Sequence, residues 1–197
     1  SPVRGEYIQL VADAPLPSTD LAIDIGVGTG VLSAVLAKRG VKRVIGTDLD
    51  DRALSCAKEN IKRLGLQGKV ELSKANLFPE GTASLIVCNP PWLPARASAP
   101  IERAIYDENS AMLKGFLAGL AAHLAPQGEG WLILSDLAEH LGLRTRAELQ
   151  EWISAGGLKV IGKLDTKAEH KKVQDESDPL HAARAAEVTS LWRLGLA

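Results

Sequence analysis

An α/β fold with a doubly wound, mostly parallel sheet is predicted by three observations. Short apolar runs alternate with helical stretches along almost the whole chain. Several of those runs end in glycine- or proline-rich turns. The 197 residues, 46% hydrophobic and 24% charged, suit one domain with a core large enough to need no disulfide or metal staple.

The elements follow in order. Leu21 to Ile25 is a first strand closed by Gly26, and a helix runs from about Val31 to Arg39 with Gly40 as its stop. Arg43 to Asp48 is the second strand. Asp50 or Asp51 caps a helix with Ala53, Leu54, Ala57, Ile61 and Leu64 at three-to-four spacing and Gly65 as its end. Lys69 to Ser73 is the third strand, and Leu85 to Cys88 is the fourth, running into Asn89-Pro90-Pro91-Trp92. A Pro/Ala-rich segment, Leu93 to Asp107, has no period. Ser110 to Ala125 reads as a helix, with Leu113, Phe116, Leu117, Leu120 and Leu124 on one face and Pro126 as its stop. Gly130 to Ser135 is the fifth strand. Thr145 and Glu148 form a capping box that starts a helix carrying Leu149, Trp152 and Ile153. Leu158 to Leu164 is the sixth strand, and a polar stretch, Asp165 to Ala185, precedes a last strand, Glu187 to Leu194.

Helices between strands imply right-handed crossovers and a parallel sheet with helices on both faces. No amphipathic helix separates the last two strands, so a terminal hairpin would make the final strand antiparallel. Ligands of such sheets bind at the carboxyl ends of the strands.

Composition excludes several classes. A net charge of −1 argues against a module that coats nucleic acid. No apolar run approaches the roughly 20 residues of a membrane span, and the N-terminus has no apolar signal core. The chain lacks an initiating Met, so a tag remnant or a domain cut from something longer is expected. Cys56 and Cys88 match no metal or redox spacing and read as reduced, buried thiols of a cytoplasmic protein. His123, His140, His170 and His181 show no ligand spacing, so no metal is expected. A monomer is the default oligomeric expectation.

The first rim feature is Asp24-Ile25-Gly26-Val27-Gly28-Thr29-Gly30. Alternate glycines let the chain turn tightly and approach a ligand. A dinucleotide fingerprint would need glycine at Val31, which disfavours a nicotinamide oxidoreductase. An acidic residue before the first glycine suits a ligand with a cationic end rather than a pyrophosphate. Asp48, eighteen residues past Gly30, stands where a carboxylate accepts from both ribose hydroxyls, with Leu49 beside it. A ligand with a ribose and an ammonium but no phosphates is S-adenosyl-L-methionine.

On these residues the chain resembles the class I S-adenosylmethionine-dependent methyltransferases over nearly its whole length. The resemblance implies a Rossmann-like seven-stranded sheet whose last strand is antiparallel. It also implies that the residue after the third strand, here Asn76 where aspartate is commoner, meets the adenine amine, with Leu77 or Phe78 packing on the ring.

The tetrad Asn89-Pro90-Pro91-Trp92 resembles the Asn/Asp-Pro-Pro-aromatic signature of methyltransferases acting on planar amino nitrogens. A delocalised lone pair is a poor nucleophile. Two acceptors, the Asn89 side-chain oxygen and the Pro90 carbonyl, can draw the two amino protons out of plane. The prolines hold that carbonyl in place, and Trp92 offers a stacking face. Positioning then contributes much of the rate, with no strong base required.

Weaker expectations remain. The segment Pro2 to Tyr7 resembles one that covers the cofactor, with Arg4 or Glu6 near its methionine end. Tyr106 and Asp107 are placed to act in a lid over the target. Lys167, Lys171 and Lys172 can meet phosphate or an acidic partner, but Glu169, Asp175, Glu176 and Asp178 between them favour a solvated loop. The chain is read as one domain, 1–197, either alone or as the catalytic part of a longer protein. The expected target is a protein glutamine, as in release-factor methylation, or a ribosomal-RNA base. In the latter case, an N-terminal domain outside this chain would recognise the RNA. A non-catalytic S-adenosylmethionine-binding subunit is the rival reading.

Overall fold

The computed structural model describes residues 5–93, 107–167 and 181–197. Arg4, Tyr106, His170, Glu169, Lys171, Lys172, Asp175, Glu176 and Asp178 lie outside the described residues. Seven strands form one sheet in the order β3-β2-β1-β4-β5-β7-β6. They are β1 (Leu21–Ile25), β2 (Arg43–Asp48), β3 (Val70–Lys74), β4 (Ala83–Cys88), β5 (Leu124–Ser135), β6 (Leu158–Thr166) and β7 (Thr189–Leu196). The first five are mutually parallel. β7 is antiparallel to both neighbours and inserts between β5 and β6. The final strand is therefore antiparallel, as expected.

The helices are α1 (Glu6–Asp13), α2 (Val31–Lys38), α3 (Asp51–Arg63), α4 (Ala111–His123), α5 (Leu137–His140), α6 (Arg146–Ala155) and α7 (His181–Ala186). Strand side chains alternate between two buried clusters, as the period of two requires. Ala22, Leu85, Val87, Trp131 and Ile133 face α1, α2 and α3. Ile23, Ile25, Ile86, Cys88, Leu132 and Leu134 face α4 and α6. Both faces of the sheet are covered, which is why these strands read as continuous apolar runs. Among the described residues, no helix is long and apolar enough to cross a membrane.

Two local expectations, for Pro126 and Cys56, are corrected, and the pre-strand segment gains a definite structure. The pre-strand segment is a helix, α1, which buries Leu10 and Val11. Its last turn is closed from a distance, since Arg39 Nη1 donates to Val11 O at 2.8 Å and Ala14 O at 2.7 Å. Pro126 does not stop a helix: α4 ends at His123, and β5 already starts at Leu124. The pairing with β4 slips between Ala83 and Leu85, and Gln127 takes a left-handed φ of 62°. Proline is tolerated at such an irregularity. Cys56 is exposed on the outer face of α3, whereas Cys88 is buried and its thiol pKa is pushed up by that burial. The capping box predicted at Thr145 and Glu148 is present at the start of α6.

Candidate active site

The loop after β1 is shaped by main chain. Gly26, Gly28 and Gly30 all have left-handed φ, at 68°, 54° and 85°. That path favours glycine at each position. At Gly26 a side chain meets a second obstacle, because a Cβ there stands 2.4 Å from Met112 Cε. Val27 N donates to Thr47 O at 2.7 Å, and Gly28 N donates to Asp48 Oδ2 at 3.1 Å. Asp48 Oδ1 accepts from Asp50 N at 3.0 Å. The half-buried Asp48 carboxylate therefore ties the end of β2 to the glycine loop. Leu49 beside it is 58% exposed, an apolar surface at the rim.

Asp24 lies beneath this loop. It is 1% exposed and accepts from Ser33 Oγ at 2.8 Å, in the first turn of α2. Burial pushes its pKa up to about 7, against the lowering effect of the Ser33 hydrogen bonds, and the Asp48 charge adds to the rise. Asp24 thus gives Oδ2 to Ser33 in this structure. Burial, with the Asp24 charge adding, also raises the pKa of Tyr7.

At the end of β3, Asn76 is exposed. Leu77 is left-handed, and its carbonyl accepts from Thr47 Oγ1 at 2.6 Å. The Leu77 side chain reaches α4 at Gly115. Phe78 stacks on His123 with centroids 4.4 Å apart, and on Phe116 at 6.0 Å. These two half-buried side chains pack against the core beside α4. Glycines at 115 and 119 leave the room they occupy.

The tetrad follows β4. Ile25 pairs with Cys88 in register, so the glycine loop and Asn89 leave adjacent strands at one level. Pro90 is buried, and Asn89, Pro91 and Trp92 are half-buried. Trp92 Nε1 donates to Asn89 Oδ1 at 2.8 Å. The edge of Tyr7 meets the Trp92 ring at 89°, with centroids 6.1 Å apart. Trp92 packs against both core clusters. Leu93 O accepts from Asp107 N at 2.7 Å, which joins the tetrad to the start of α4. Asp107, 7% exposed, accepts from Met112 N at 2.8 Å and Leu113 N at 3.0 Å, satisfying donors of the first turn of α4.

Asp24, the three glycines, Asp48, Leu49 and Asn89 to Trp92 thus share one rim, with Asn76 at the next strand end. Sequence reading missed Ser33, Met112 and the pairing of Tyr7 with Trp92. Only Tyr7 carried a visible signal, as an aromatic ahead of the first strand.

The chain matches the family model of the methyltransferase small domain over residues 9–152. A ribosomal protein L11 methyltransferase from Vibrio parahaemolyticus is 32% identical over 149 residues, covering 73% of this chain and 48% of that protein. The chain spans about half the length of the curated relatives it matches. A ribosomal protein L11 methylase from Lactobacillus delbrueckii superposes with a TM-score of 0.61 at 19% identity, covering 98% of this chain and 77% of that one. A tRNA methyltransferase from Bacillus subtilis gives 0.62 at 14% identity, covering 96% and 65%. At such identities the likeness is one of fold.

Proposed function

The chain belongs to the methyltransferase small-domain family, and from that premise we propose that it transfers the methyl group of S-adenosylmethionine to a planar amino or amide nitrogen. The observation that carries this reading is the register of Ile25 with Cys88, which sets the glycine loop beside the Asn-Pro-Pro-Trp tetrad.

The residues fit the cofactor. The loop glycines keep three positions at the strand ends free of side chains, and Asp48 offers a half-buried carboxylate to a ribose. The exposed Leu49 offers an apolar face to a base. When bound, the cofactor supplies an electrophilic sulfonium methyl. The chain's own task is to aim a nitrogen lone pair. Asn89 Oδ1 accepts one amino hydrogen with the lone pair that the Trp92 indole leaves free, since a carbonyl oxygen can accept twice. The Pro90 carbonyl accepts the other. Two adjacent prolines restrict φ at that point, and Trp92, braced by Tyr7, fixes the side of the tetrad.

The target is a protein glutamine amide or a ribosomal-RNA base. The relatives that act on a ribosomal protein support the protein arm. Incubation of the chain with methyl-labelled cofactor and a lysate tests the reading. Label is expected in macromolecules with the native chain and not with Asn89→Ala. Loss of label to protease marks a protein target and loss to ribonuclease an RNA target. No transfer by the native chain, with cofactor binding intact, would leave a binding subunit and refute catalysis.

A further inference from the structure

Two arginines present one edge, Nε with Nη2, to a carboxylate. Arg43 does so with Glu71 at 3.1 and 2.9 Å, and Arg193 with Glu129 at 2.8 and 2.9 Å. Arg144 has the same edge without such a partner. It is 4% exposed, and its Nε and Nη2 are buried with no acceptor. A planar fork of this kind matches an oxyanion with two parallel hydrogen bonds. Leaving it buried and unmatched is costly.

Its neighbours do not fill the gap. Glu139, Glu148 and Asp107 all lie within electrostatic reach of Arg144. Glu139 gives both oxygens to Arg146 Nε, at 3.1 and 3.0 Å. Glu148 Oε1 accepts from Thr145 N at 3.0 Å and from Thr145 Oγ1 at 3.2 Å. Asp107 accepts from Met112 N and Leu113 N. Each carboxylate is engaged elsewhere, and none meets the fork.

The place is informative. Arg144 lies between α5 and α6, in the connection that leaves the carboxyl end of β5. Asp107, one of its electrostatic neighbours, is bonded to Leu93, the residue after the tetrad. We propose that the free Nε/Nη2 fork of Arg144 is a docking site for one carboxylate of a protein methyl acceptor, beside the Asn89–Trp92 tetrad. The surroundings favour a single carboxylate over a nucleic-acid backbone. With Glu139 and Arg146 paired to each other, two acidic groups, Glu148 and Asp107, stand around one available guanidinium. Every further negative charge meets those carboxylates, so one oxyanion held by the fork is favoured over a polyanion. The acceptor role rests on the methyl-transfer reading above. The anion site itself does not.

The test uses the full chain labelled with ¹⁵N-arginine. The Arg144 Nε–H resonance is identified by its absence in Arg144→Lys. Sodium acetate, as the carboxylate probe, is titrated against sodium chloride at equal ionic strength. A saturable shift of that resonance, with none at exposed Arg52, is the expected result. No shift, or a shift with a short mixed-sequence RNA and none with acetate, overturns the proposal. Arg144→Met is melted alongside. A docking residue should leave the midpoint unchanged or raised, because a buried unmatched charge is removed. A clear fall would make Arg144 structural and sink the proposal. In methyl transfer to soluble cell protein, Arg144→Met should raise the KM for acceptor about tenfold or more, with cofactor affinity unchanged. The resonance titration needs no turnover. If the native chain transfers no methyl group, the functional reading fails while the anion site still stands or falls on acetate.

Discussion

Around β1 and β2 the rim is held mainly by main chain, with the Asp48 carboxylate as a side-chain tie. Val27 N is bonded to Thr47 O, Gly28 N to the Asp48 carboxylate, and three left-handed glycines set the path between. Around β4 and β5 it is held by side chains. Trp92 is bonded to Asn89, Asp107 closes the first turn of α4, and the Arg144 fork has no acceptor. The difference separates two jobs. A ligand common to a family can be met by backbone geometry, which substitutions around it leave alone. A target that differs from protein to protein needs contacts that single substitutions can change.

The largest effect should come from the side-chain half. Asn89→Ala removes an acceptor that has its full value only when the amino group is poised for attack. Methyl transfer should fall about 10²- to 10³-fold, the size typical of losing one preorganised hydrogen-bonding group. Cofactor affinity, measured by calorimetry, should stay within twofold or so. A matching loss of cofactor affinity would erase the division between the halves.

The next effect concerns Asp24, under the main-chain half. Its folded pKa is about 7, against an ordinary 3.8. Between those values the folded chain holds a proton that the unfolded chain has released. Its contribution to stability is therefore complete below pH 3.8, declines as pH rises to about 7, and changes little beyond. The slope is up to about 1.4 kcal/mol per pH unit. Asp24→Asn keeps an oxygen for Ser33 and has no charge to bury, so denaturant stability should lose this slope between pH 5 and 7. An unchanged slope would mean that the Asp24 carboxylate is not the group responsible.

How far these features were legible in the sequence follows the same division. The centre of the sheet was readable because both faces of β1, β4 and β5 are buried, so these strands are plain apolar runs, and β1 and β4 end at glycine or proline turns. The glycine loop was readable because left-handed φ favours glycine, and Asp48 because it closes the second strand at the same rim. Features that depend on which side chain finds which were not. Phe78 stacks on His123, 45 positions away, and nothing local says so. Helix α1 has Gly5 as its N-cap with no side-chain cap bond, and its closing donor comes from Arg39. The helical pattern of α4 runs on through Leu124, and only pairing with Ala83 ends it. The unmatched fork of Arg144 is visible only once Glu139, Glu148 and Asp107 are seen bonded elsewhere.

A smaller effect sharpens the contrast at Asp48. Asp48→Ala removes the proposed ribose acceptor and releases Gly28 N. Cofactor affinity should fall about 10- to 100-fold, in keeping with hydrogen bonds to a charged group. Asp48→Asn should not restore it. Its two oxygens now face two N–H donors, Gly28 N and Asp50 N, and an amide nitrogen cannot accept from either. Full affinity in Asp48→Asn, read by calorimetry, would show that the loop does not rely on this carboxylate.

The smallest effect is the most discriminating. Trp92→Phe keeps a ring against Tyr7 and removes the N–H that Asn89 Oδ1 accepts. If the indole aligns Asn89, losing it frees the amide to rotate, and turnover should fall about three- to tenfold, the worth of one ordinary hydrogen bond. Trp92→Leu, which also loses the ring, should fall further. The alternative is competition, in which the indole occupies the oxygen that the target amine needs. Trp92→Phe would then turn over faster than the native chain. The sign of that one rate change decides whether the bond seen at 2.8 Å is a brace that persists during transfer or a latch that must open first.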